Sequence, residues 1–146
     1  TSARRYFQRA IELNPKNHEA ALKLRISRLV IDMDPFQRRL SQEERGRRTI
    51  AAFQQALSRL KQCAQSRGVN LQTEQAAGPF ASVYSNVKEM QPKVSRRILR
   101  RNPDLITNVM DLVMQMEETA QQACGTPPAP DQALLMISHT RGATER

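Results

Sequence analysis

The chain has 146 residues, enough for one domain, with 39% apolar residues, 4% aromatics and no Trp, so its core must be assembled from Leu, Ile, Val, Ala and Met. Its formal charge is +9, carried mostly by Arg, which points either to an acidic partner such as nucleic acid, anionic lipid or an acidic protein face, or simply to solvated helix faces. No apolar run approaches the ~20 residues that span a bilayer, and the two cysteines, Cys63 and Cys124, are too few for a disulfide scaffold and lack further ligands at zinc spacing.

The sequence opens at Thr1 inside what reads as a helix, the pattern expected of a piece of a longer protein. Ala3, Phe7, Ala10, Ile11 and Leu13 recur at helical spacing, and Asn14, Pro15, Lys16 and Asn17 break it as a turn. The order small residue, aromatic, Ala, Pro at Ala3, Phe7, Ala10 and Pro15 resembles the second helix of a tetratricopeptide repeat. Small residues there let paired helices approach closely, the aromatic fills the space between repeats, and Pro ends the helix for want of an N–H. The likeness covers residues 1–20 and returns faintly at Thr49, Phe53 and Ala56. It implies a non-catalytic scaffold that binds a peptide or protein partner; no binding residue of the family carries over.

A helix is predicted from His18 to Met33, with Leu22, Ile26, Leu29, Val30 and Met33 on one stripe and Leu24 and Ile31 on another, as if sandwiched between neighbours. The family's Leu-Gly and Tyr positions are met only by Leu24, so this helix reads as a repeat array giving way to a divergent end, whose outer face must be polar. After Pro35, Ser41 and Glu44 form a capping box, the Glu reaching back to the cap residue, for a helix over Gln42 to Gln65 with Ile50, Phe53, Leu57 and Leu60 on its stripe. The stretch from Ser66 to Pro79 reads as a loop. Phe80, Val83, Tyr84, Val87 and Met90 resume the helical spacing, Pro92 interrupts it, and Val94, Ile98 and Leu99 continue it, so a kinked helix or two short ones is expected. Asn102, Pro103 and Asp104 announce another start, with Asn as cap and Pro at the first position. The helix that follows bears the broadest apolar face, from Leu105 through Met116, and Gly125 closes it. Thr126 to Pro130 reads as an extended spacer, followed by a short helix from Asp131 through Ile137 and a frayed tail from Ser138.

The predicted architecture is an all-α antiparallel array of about six helices. Residues 1–125 form the array, of which 1–33 are tetratricopeptide-like; 126–131 are a Pro-rich spacer and 132–146 a terminal helix and tail.

The strongest charge feature is Lys93, Arg96, Arg97, Arg100 and Arg101, uninterrupted by any acid and close to one helical face. Guanidinium forks suit phosphate and carboxylate, and this surface supports the alternative to a scaffold, a helical domain that binds nucleic acid or another polyanion. A second cluster, Arg38, Arg39, Arg45, Arg47 and Arg48, has Glu43 and Glu44 beside it and reads as ion-paired surface. His18 and His139 stand apart from any Cys or carboxylate at motif spacing, and no glycine-rich phosphate loop, nucleophile elbow or metal-binding motif occurs. Neither catalysis nor a cofactor is therefore expected. Met110, Met114 and Met116, with Met90 and Met136, suit core packing, or a pliable apolar groove if exposed. Cys63 and Cys124 each fall in the last turn of a long predicted helix. In an up-and-down chain the two helices are parallel and the thiols lie at one end of the bundle. A disulfide needs their Cα atoms within about 7 Å and an oxidising compartment; two separate thiols is the other outcome.

Overall fold

The computed structural model describes residues 17–72 and 78–145, with side chains as far as residue 140. The expected opening helix and its Ala3, Phe7, Ala10 and Pro15 lie outside the described residues. Every described element is helical: α1 (Asn17–Met33), α2 (Gln42–Ser66), α3 (Pro79–Met90), a 3-10 turn (Gln91–Lys93), α4 (Arg96–Arg101), α5 (Leu105–Cys124) and α6 (Ala129–Glu145). The fold is an all-α helical array.

The long helices α2 and α5 make the most extensive contact in the molecule. Their facing stripes combine small and branched residues, Ala52, Ala56, Leu60 and Ala64 from α2 with Val109, Val113, Met116 and Ala120 from α5, all buried to within 1% of complete. Alanines let the two backbones approach, and the Leu, Val and Met side chains fill the remaining space, each full burial contributing roughly 1.5–3 kcal/mol. The helices point the same way, because Cys63 near the end of α2 is disulfide-bonded to Cys124 at the end of α5, with the Cα atoms 5.9 Å apart. The chain returns between them through α3, which packs on α5 with Phe80, Val83, Tyr84 and Val87 buried. The expected break at Pro92 is a 3-10 turn, and the short α4 follows it.

Local chemistry explains why α4 sits against the start of α2. Ser95 caps α4 by accepting from Ile98 N at 3.2 Å. Its one fully buried residue, Leu99, packs where α2 has Gly46, at which an added Cβ would stand 3.9 Å from that of Leu99. At the head of α2, Ser41 Oγ accepts from Glu44 N at 3.1 Å, as a capping box requires. The Glu44 carboxylate does not complete the box, however. It turns instead to Arg47 and Arg48, because a guanidinium is a stronger donor than a solvated backbone N–H.

Four expectations need correction. The helix after Asn102 begins at Leu105, and Asn102 and Pro103 form a turn that accepts from Leu105 N and Ile106 N. The Pro-rich spacer is shorter than expected: α6 starts at Ala129, since Pro130 in the first turn has no N–H to leave unsatisfied. The expected frayed tail continues this helix to Glu145, held by Leu134 and Ile137 in the main core. Finally, the second stripe of α1 is covered only in part among the described residues: Leu24 is half-buried but Ile31 is 59% exposed, while on the first stripe Ile26 is buried against Ala129 and Ala133 of α6 and Leu22 is 41% exposed.

Two consequences are measurable. The disulfide closes a loop across a separation of 61 residues, so Cys124→Ser should lower unfolding stability by about 2–4 kcal/mol in urea titration, and unreduced, denatured protein should show no free thiol with Ellman's reagent. Gly46→Ala should raise stability by roughly 0.5–1 kcal/mol, since the helix interior gains a better helix former and the methyl meets Leu99 at ordinary contact distance; a fall would mean that α4 cannot yield even that much.

Candidate functional site

The pairing of Leu99 with Gly46 brings the Arg-rich face of α4 against the first turn of α2. Between them lies a cleft of about 350 Å³, lined by Arg96, Arg97, Arg100 and Arg101 on one wall and by Gln42, Glu43 and Gly46 on the other. Arg96 and Arg97 precede the buried Leu99 and Arg100 and Arg101 follow it, so one apolar anchor presents four exposed guanidinium groups to solvent. Among the described residues none of the four is within ion-pair distance of an acid. Glu43, exposed on the opposite wall, is the lone carboxylate in the lining. The positive end of the α2 macrodipole opens at the same place and reinforces the field. Such an arrangement binds anions by paired N–H donors.

Lys93 does not join this group. It lies on the 3-10 turn before α4 rather than on the helix itself, and lines a separate polar groove with Asn86, Glu89, Asn108 and Asp111. The second Arg cluster behaves differently again. Glu44 accepts from Arg47 Nε at 2.8 Å and from Arg48 Nε at 3.0 Å, and these bonds, that of Arg47 foremost, hold its carboxyl down at about 2. Arg48 also donates to Ile31 O at 2.7 Å and Asp34 O at 3.2 Å, tying the end of α1 to α2. These guanidinium groups are committed to structure. His18 and His139 are exposed, Met110 and Met116 are core, Met90 and Met114 are half-buried, and Met136 is 46% exposed.

One cluster was missed in the sequence reading. Glu117 of α5 and Asp131 of α6 are 1% and 0% exposed, side by side where α6 crosses α2 and α5. Gln55 Nε2 donates to Asp131 Oδ2 at 3.2 Å, while both Glu117 oxygens and Asp131 Oδ1 have no donor among the described residues. Burial first, then the hydrogen bond to Asp131 and its negative charge, push the Glu117 carboxyl up to about 10, with Arg59 of α2 opposing. The signal was present: Met110, Val113, Glu117, Ala120 and Cys124 recur at alternating spacings of three and four, which places an acid inside an otherwise apolar stripe.

No family model, curated protein or solved structure matches this chain.

Proposed function

We propose that this chain is a non-catalytic helical interaction module that holds an acidic segment of a protein partner in the cleft between α2 and α4. The observation that carries the reading is the row of four guanidinium groups, Arg96, Arg97, Arg100 and Arg101, around one concave site with no acid paired to them among the described residues. Four unpaired charges at one place repel one another, and an acidic ligand relieves that repulsion while gaining bidentate bonds. The likeness of Ala3, Phe7, Ala10 and Pro15 to a tetratricopeptide helix supports the same class of function, because such repeats are scaffolds for protein segments.

A protein segment suits the cleft better than a nucleic-acid strand. No aromatic ring lines it on which a base would stack. Glu43 on the facing wall would oppose a continuous phosphate backbone, yet it accommodates a peptide that carries a basic or amide group beside its acids.

The test is fluorescence anisotropy with a labelled Glu- and Asp-rich peptide and with a single-stranded RNA of equal charge. The peptide should bind, and replacing Arg97 and Arg100 together by Glu should weaken it at least tenfold, about 1.4 kcal/mol, while the Arg38→Glu, Arg39→Glu control changes little. Tighter binding of the RNA, with affinity falling steeply as salt rises, would overturn the reading in favour of a nucleic-acid-binding domain.

A further inference from the structure

We infer that α6 is a proton-locked element: one proton shared between the buried carboxyls of Glu117 and Asp131 holds its first turn on α2 and α5, and loss of that proton loosens α6 together with α1. The inference stands on the geometry of the α6 interface and is independent of the Arg cleft.

Ionised carboxylates only accept hydrogen bonds. In this pair a single oxygen, Asp131 Oδ2, has a donor, the amide of Gln55, and the other three are buried with none. Leaving both acids ionised would bury adjacent like charges and orphan three acceptors, an arrangement that proteins avoid by neutralising one member. A proton on the pair supplies the missing donor. Asp131 is the natural anion, because it is the third residue of α6 and lies at the positive end of that helix; Glu117, in mid-helix, donates its O–H to it.

The surrounding charges fit one proton. Among the described residues, the charged groups acting on Glu117 are Asp131 from α6 and Arg59 from α2. From α1 the interface receives Ile26, Leu29, Val30 and Met33, all apolar, of which Val30 and Met33 also touch the main core. With the proton in place, one negative charge faces one guanidinium. Without it, two negative charges face the same guanidinium in a site closed to water.

Opening would take α1 along with α6. The two share a small hydrophobic cluster, Ile26 with Ala129 and Ala133, distinct from the main core, and α1 meets α6 far more extensively than it meets α2. Leu134 and Ile137 would leave the main core at the same time, exposing an apolar strip on α2 and α5 that the disulfide keeps in register.

The direction with pH follows from which state holds the proton. Docked, Glu117 keeps it to about pH 10, against an ordinary value of 4.5; released, the carboxyl ionises near that ordinary value. Docking therefore takes up one proton over the interval between them, its stabilisation is complete below the lower value, and each pH unit upward favours opening about tenfold.

Hydrogen exchange of the intact, disulfide-bonded chain, read by mass spectrometry between about pH 5.5 and 8 and corrected for intrinsic exchange rates, tests this. Amide protection in α6 and α1 should fall about tenfold per pH unit and stay below that of α2 and α5 around Leu60 and Val109. In Glu117→Gln, whose side-chain amide supplies the missing donor without titrating, α6 protection should be flat with pH. Protection in wild-type α6 that does not vary with pH overturns the inference, with or without a folded variant. So does a variant that keeps the wild-type slope, or exchange of α6 and α5 as one unit with equal protection.

Discussion

The seam between α2 and α5 is the constraint on which the other elements depend. With no Trp and few rings in the chain, large side chains cannot bridge distant helices, so the core closes only if two long helices come together through alanines and interlocked Leu, Val and Met. Ala52, Ala56, Ala64 and Ala120 permit that approach and are essentially inaccessible to solvent. Parallel neighbours need a return segment, and α3 with α4 is that segment, each packed on one of the long helices. The disulfide fixes the seam at its exit end, and the packing of Leu99 on Gly46 fixes it near its entry.

Both polar sites follow from this frame. The Arg cleft exists because α4 is short and anchored by Leu99, which leaves its guanidinium groups nowhere to fold back and no acid of its own to meet. The acid pair lies beside the middle of α2, about 18 Å away along the helix, counted from Glu43 to Gln55 at 1.5 Å per residue. One rigid helix thus contributes to an exposed basic site and to a buried acidic one, and neither needs the other for its geometry.

Most of the elements were legible in the sequence, because apolar spacing of three and four survives wherever one helical face is buried. The limits of α1 and α2 and the break at Pro92 all followed from that spacing and from cap residues such as Ser41. Proline misled at α6: Pro127, Pro128 and Pro130 read as a spacer, although a proline in the first turn is as good a helix opener as an interior one is a breaker. The second stripe of α1, with Leu24 and Ile31, predicted a neighbour that the described residues provide only in part, since Leu24 is half-buried and Ile31 is exposed. The Arg cluster was visible as composition, but its division was not, since the removal of Lys93 to another groove depends on a turn rather than on spacing. Glu117 was legible in principle. It occupies a stripe position, yet the polar run around it, Glu117, Glu118 and Thr119, reads as solvated surface unless the stripe is followed through it.

An acid buried in this way does not serve stability. A Gln or a Met at position 117 would fill the same volume without proton uptake, and buried ionisable groups are commonly outperformed by such substitutes. Here Asp131 has a structural reason to be where it is, at the first turn of α6 beside Gln55. Glu117 has none of that kind, since α5 would pack equally well with an apolar residue between Val113 and Ala120. What Glu117 adds is a dependence of the α6 contact on proton concentration, which neither the disulfide nor the apolar seam can supply.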